Sequence, residues 1–238
     1  MANLIADTYV IRHFVEKLFG LRNYSINEAS KALIKTTRPD PFLDYNHKNE
    51  CIFIHIPRTG GTAVAKSLFD RWGQGHVPLY VYRSHSKKLY EKYFKFSFVR
   101  NPYSRFVSAF YQAKSDFHKS DWAKKYVKGF DSVRKFARTI GENKILKNKI
   151  VRTSFFRPQW EYIYIDGSIG VDFLGKFEFL QSNFEEICRE VGITGHLEKV
   201  NKSDHNEYKA YLNEEVEKTL YKLYKFDFQA FGYERVSV

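Results

Sequence analysis

Cysteine is nearly missing from this chain. Cys51 and Cys188 are the only two in 238 residues. One sits in an expected buried strand and the other in an expected helix, so neither a disulfide framework nor a cysteine-based zinc site can be built. That usage fits a reducing compartment. No run of 18 apolar residues exists, which excludes an ordinary transmembrane helix. The first residues, MANLIADTYVIRHFVEKLFG, have no apolar leader core and no small-residue cleavage site, so they do not read as a secretory signal. These absences together give a cytoplasmic expectation. No internal repeat or low-complexity tract is present, and no His/Cys/Asp cluster stands at ligand spacing, so no metal is expected.

Acidic residues are also short. Asp plus Glu is 27 against 39 Lys plus Arg, a net charge of +12. Such an excess points to anionic partners. The basic residues are spread along the chain without an arginine-rich tail, a zinc-finger pattern or an RNA-recognition signature, so nucleic acid is not the expected partner.

What is present is a globular composition, 43% hydrophobic and 18% aromatic. The N-terminal stretch has Leu4, Ile5, Tyr9, Ile11, Phe14, Val15, Leu18 and Phe19 roughly on one side of a helix. It reads as a helical extension over residues 1–45 packed on the core, or as a peripheral membrane contact. TTRPDPF ends it with two prolines, and residues 46–238 form one domain. CIFIHI (51–56) reads as a buried strand, and 62–72 as a helix. HVPLYVY (76–82) reads as a second strand, SKKLYEKYF as a short helix, and KFSFV (95–99) as a third strand. Asn101-Pro102 caps a helix running to about residue 117. VDFLGKFEFL (171–180) reads as a strand, Ser182-Asn183-Phe184-Glu185 as a capping box opening a helix that stops at Gly192, and Val216, Leu220, Leu223 and Tyr224 as the stripe of a final helix. Strands alternating with helices predict an α/β domain with a mainly parallel sheet.

Two strand-to-helix junctions carry the chemistry. At the first, IPRTGGTA puts Arg58, Thr59, Gly60, Gly61, Thr62 and Ala63 between a buried strand and a helix. Glycines admit close backbone approach, the first helical turn offers unpaired N–H groups with partial positive charge, and arginine adds a cation with two-pronged reach. Phosphate suits such a place. The loop is not a Walker A sequence, because the cation precedes the glycines and no Lys-Ser or Lys-Thr follows them. At the second junction, FSFVRNPYSRFVSAFY, Arg100 stands at a strand end and Ser108 lies in the next helix on the side that can look back at it.

The pair of motifs resembles the phosphosulfate-binding motifs of sulfotransferases that use 3′-phosphoadenosine 5′-phosphosulfate (PAPS). The nearest group is the carbohydrate (Golgi/bacterial type 2) sulfotransferases, whose pattern is roughly IFxHIPKTGGTS followed by FxFVRNPxxRxVSxY. RSHSKKL, RPQWEYIYIDGSIGVDFLGKFEFLQSNFEEI, KVNKSDHNEY and LYKLYKFDFQAFGY extend the resemblance over about residues 50–235. It implies a P-loop-like three-layer fold with a central, mainly parallel sheet flanked by helices. It implies transfer of the sulfuryl group of PAPS to a carbohydrate hydroxyl, with PAP as product. The 5′ site would be the Arg58–Ala63 loop and the 3′ site Arg100 and Ser108. Arg58 stands where the family usually has lysine and is assigned to stabilising the leaving group. His85 in RSHSKKL is the first choice for general base, with His76 the runner-up on the acceptor side. Glu178 orients a base, binds acceptor or forms an ordinary ion pair. Gln159 matches a position near the acceptor. Lys199 and Asn201, in the loop LEKVNKSDHN, are expected to cover the cofactor. The basic segment 119–157 forms either an acceptor cleft or a solvated face. The rival readings are a sulfotransferase for a small or lipid-linked acceptor, a non-catalytic nucleotide-binding module, and a P-loop phosphotransferase.

Overall fold

The computed structural model describes residues 40–71, 75–116, 121–197 and 208–238. The amphipathic N-terminal stretch and the loop holding Lys199 and Asn201 lie outside the described residues. The chain enters through a short helix, α1 (Asp44–Asn49), which spans the boundary expected between residues 45 and 46. It then passes into β1 (Cys51–Ile54), all four residues of which are buried. β1 pairs in parallel with β2 (Phe94–Val99), and β2 in parallel with β5 (Phe173–Lys176), giving the order β1-β2-β5. Between β1 and β2 lie α2 (Gly61–Phe69), α3 (Leu79–His85) and α4 (Lys87–Lys92). Between β2 and β5 lie α5 (Pro102–Ser115), α6 (Asp121–Tyr126), α7 (Val133–Glu142), α8 (Lys144–Ile150), α9 (Trp160–Ile163) and a two-stranded ribbon, β3 (Tyr164–Ile165) with β4 (Ser168–Ile169). After β5 come α10 (Leu180–Val191) and α11 (Glu214–Ala230).

The sheet is covered on both faces, which is why β1 reads as an unbroken apolar run. Phe53, Phe96 and Phe98 face a layer built from Val64 and Leu68 of α2 and Phe184 and Ile187 of α10. Ile52, Ile54 and Val99 face the opposite layer, with Leu79 and Tyr82 of α3, Tyr162 and Ile163 of α9, and Phe231. A third core joins α5, α7 and α11 through Phe106, Phe110, Phe136, Leu220 and Phe228. This is the expected α/β fold with a parallel sheet between helices.

Three local expectations are corrected. Residues 76–82 form no strand: Pro78 is the N-cap of α3 and the chain is helical from Leu79. Leu79 and Tyr82, three apart, pack into the same core layer. That burial outweighs the strand preference of Tyr and Val. The stretch 171–180 is extended only over β5. It then tightens into a 3₁₀ turn, Phe177–Phe179, and enters α10 at Leu180. The capping box at 182–185 therefore lies inside α10. Asn183 instead accepts the Lys176 N–H at 2.9 Å and ties helix to strand. By contrast, α5 starts at Pro102 with the Asn101 side chain accepting the N–H groups of Tyr103 and Ser104, and α10 ends on Gly192 in the left-handed conformation.

Candidate functional site

The site is built where β1 and β2 end beside α2 and α5. Beyond β1 the chain runs through buried His55, Ile56 and Pro57 into the turn at Arg58–Gly60. Thr59 is buried and donates its hydroxyl to the Ile56 carbonyl at 2.8 Å, closing the turn. Its proton is spent on the fold, whereas Thr62 is exposed at the start of α2. Gly60 caps α2 at φ +82°, and no side chain caps this helix end. A Cβ on Gly61 would lie 2.0 Å from Cδ2 of His55. Only glycine lets the loop settle onto that ring. The N–H groups of Gly61, Thr62 and Ala63 lie in the first turn, where an α-helix has no internal acceptor, and the helix dipole makes the place electropositive.

Three arginines surround this turn. Arg58, itself at φ +70°, donates from Nε to Ser108 Oγ at 3.0 Å and from Nη1 to Gln112 Oε1 at 2.7 Å. Arg100 donates from Nε to Ser104 Oγ at 3.0 Å and from Nη1 to the Arg58 carbonyl at 3.3 Å. Its guanidinium lies over the Phe177 ring, 4.2 Å from the centroid. Arg105 is buried under the loop, donating from Nε to the Pro57 carbonyl and from Nη1 to the Arg157 carbonyl. Its Nη2 is buried without a partner among the described residues.

Carboxylates stand back from the cluster. Glu178 accepts the Asn101 N–H and the Tyr233 hydroxyl, and Asp116 accepts the Gln112 amide at 2.6 Å. Burial, with the charge of Arg58 added, pulls the Arg100 guanidinium down to about 10. Burial also lowers Arg58. Desolvated cations held together with no counter-ion bonded to them among the described residues favour an anion at the same point.

The expected acid–base groups divide between the ends of α3. His76 lies just before it, with Nδ1 3.0 Å from the His55 carbonyl and its ring 4.6 Å from the His55 ring. It is thus tied to the ring that supports Gly61. His85 ends α3, with Nδ1 3.2 Å from the Val81 carbonyl, in the turn where Arg83 pairs with Asp166 of the β3–β4 turn. A carbonyl only accepts, so Nδ1 carries the proton in each and Nε2 is the basic nitrogen of the neutral ring. Burial lowers the His76 pKa further from 6.5. Gln159 is fully buried. It accepts the Arg100 N–H at 2.9 Å and donates to the Arg100 carbonyl at 2.8 Å. Its place is behind Arg100, and Glu178 likewise holds the start of α5.

Sequence reasoning passed over Gln112 and Asp227. Gln112 lies four residues after Ser108, and that spacing on α5 is the signal that places both on one helix face. Asp227 accepts the backbone N–H groups of Gln159 and Trp160 at 2.8 and 3.0 Å, locking the turn that holds Arg100. Nothing local in the chain announces that pairing.

A family model described as "Sulfotransferase family" matches residues 43–234. Curated relatives include carbohydrate sulfotransferase 11 of Rattus norvegicus and of Mus musculus. Each is 24% identical over 169 residues, covering 60% of this chain and 47% of the relative. The chain thus spans about half the length of the curated relatives it matches. No solved structure matches. With the glycine turn, the arginine cluster and the matched region coinciding, the chain belongs to the sulfotransferase family.

Proposed function

We propose that this protein transfers the sulfuryl group of PAPS to a hydroxyl of a carbohydrate. The observation that carries the reading is the gathering of Arg58, Arg100 and Arg105 about the Arg58–Gly60 turn that leads into α2, with no carboxylate bonded to any of them among the described residues. The two phosphate-bearing ends of PAPS suit that arrangement. The N–H groups of Gly61, Thr62 and Ala63, with the Thr62 hydroxyl, would hold the 5′ end. Arg100 and Ser108 would hold the 3′ phosphate. Lys199 and Asn201 remain proposed contributors from the loop beyond the described residues.

When bound, PAPS supplies an activated sulfuryl group for in-line displacement. The chain's part is to hold negative charge at the α2 N-terminus and to remove the acceptor's proton. We assign that proton to Nε2 of His76, because His76 is bonded to the segment that carries the loop. His85 is the second choice, since its Nδ1 is fixed on a carbonyl in the same way. Exposed Lys124, Lys125, Lys144 and Lys149 offer a surface for an anionic sugar, and the printed names of the relatives support a carbohydrate acceptor.

The test combines calorimetric titration with PAP against ATP-Mg and transfer of labelled sulfate to a panel of polysaccharides. Tight PAP binding with label incorporated is the expected result. Equal or better binding of ATP-Mg would favour a phosphotransferase, and PAP binding without turnover on any acceptor a binding module. His76→Ala should cut kcat about 100-fold or more, a larger loss than any fall in PAP affinity from the freed His55 segment. The same outcome for His85→Ala alone would move the base to His85.

A further inference from the structure

His55 is a polar ring in an apolar place. It follows β1 directly, between Ile54 and Ile56, and all three are buried. Strand alternation sends Ile52, Ile54 and Ile56 into one core layer and leaves Phe53 and His55 on the other side, beneath α2. The His55 ring stacks on Phe53, with centroids 5.8 Å apart and planes 12° apart. Two of its borders belong to the site. A Cβ on Gly61 would lie 2.0 Å from Cδ2 and 2.5 Å from Nε2, so this edge of the ring carries the first turn of α2. The His76 ring meets it edge-on at 4.6 Å, and His76 Nδ1 is 3.0 Å from the His55 carbonyl. One residue therefore touches both the turn assigned to the donor's charge and the group assigned as base.

We propose, building on the PAPS reading and on His76 as its base, that His55 is a positioning residue for sulfuryl transfer. Transfer breaks the bond between sulfur and the bridging oxygen, which keeps the electron pair beside the α2 N-terminus. It forms a bond from sulfur to the acceptor oxygen, whose proton passes to Nε2 of His76. The two ends of that displacement must stay in line, and the flat His55 ring is the spacer between the groups that serve them. His55 itself exchanges no proton. An aliphatic side chain of similar volume would fill the space, but it has no flat face for Gly61 to settle on and no ring edge for His76 to meet.

The test is a double-mutant cycle in kcat between His55→Ala and His76→Ala, with PAP affinity read by calorimetry and kcat/KM followed against pH. H55A should lower kcat about 100-fold beside an intact His76. In the H76A background it should cost less than about threefold, because misplacing a base that is already gone removes nothing more. PAP affinity should fall by a smaller factor than kcat. The cations whose charge reaches His76 are Arg105 and Arg157, which H55A leaves in place, so an acid limb below pH 6.5 should persist in H55A and vanish in H76A. His55→Leu, which fills the space without a flat ring, repeats the cycle if the alanine variant is too unstable to assay. No loss of kcat in either His55 variant, or the same loss in both backgrounds, would make His55 an ordinary core residue and overturn the proposal alone. An acid limb that vanishes in the His55 variants and survives in H76A would make His55 the base and overturn it as well. Full kcat in H76A would remove the base assignment and this proposal with it, and a wild type that does not bind PAP would remove the whole PAPS reading.

Discussion

At the residue scale, the site is arranged by buried groups that bond the backbone around Arg100. Gln159 imitates a strand partner for Arg100, giving and taking one hydrogen bond with its backbone. Gln159→Glu removes the donor and sets a carboxylate against a carbonyl. It should cost about 1–3 kcal/mol of stability and weaken PAP, as read by chemical denaturation and calorimetry. Asp227 is fully buried, and burial raises its pKa to about 6 from 3.8. A raised carboxylate holds its proton more tightly in the folded chain. Its contribution is therefore present below about pH 4 and is lost as pH climbs through 6. Asp227→Asn does not titrate, so wild type's advantage over it in urea unfolding should be larger at pH 4 than at pH 7. An advantage that grows with pH would contradict this account. His76 is shifted the other way, below 6.5. If it is the base, the acid limb of the kcat/KM profile should lie below pH 6.5 and vanish in H76A.

At the scale of elements, the junction of β1 with α2 depends on two glycines for different reasons. Gly60 needs its positive φ, and a Cβ there would also approach Leu180 to 2.8 Å. Gly61 needs the space filled by His55. Gly61→Ala would push that ring toward His76 and should destabilise by about 1–3 kcal/mol, with loss of PAP binding. Thr62→Ala, one residue further and exposed, should change stability by less than about 0.5 kcal/mol. Thermal unfolding of the pair separates a steric demand of the turn from mere proximity to it. α11 works at a distance. Asp227 braces the Gln159 turn, and Glu217 accepts from the Tyr103 hydroxyl of α5 and from Arg235.

At the scale of the whole molecule, a net charge of +12 and exposed lysines along α6 and α8 suit the anionic acceptor proposed above. Surface attraction of that kind is screened, with a Debye length of about 8 Å at physiological salt. On the proposed reading, affinity for a sulfated polysaccharide should fall steeply between about 50 and 200 mM salt, while PAP at the partly buried arginine cluster should lose much less. Parallel loss for both would place the nucleotide on an exposed face. Among the described residues no helix is long and apolar enough to cross a membrane.

The sequence by itself determined the α/β class, the strands β1 and β2 and both junctions. A strand buried on two faces must be apolar throughout, Asn-Pro must open a helix, and paired glycines at a strand end must mark a tight turn; each of these constraints is local. It also brought out Arg58, Arg100 and Ser108 as residues of one chemistry. Only the tertiary structure decided that HVPLYVY packs as a helix, because the choice rests on which core layer receives Leu79 and Tyr82. Only it decided that Arg58 reaches Ser108 and Gln112, that Gln159 and Glu178 brace the backbone around Arg100, and that His76 stands with the glycine turn while His85 ends α3. Those outcomes depend on side chains far apart in the chain sharing buried space and hydrogen-bond capacity, and local spacing carries no record of such sharing.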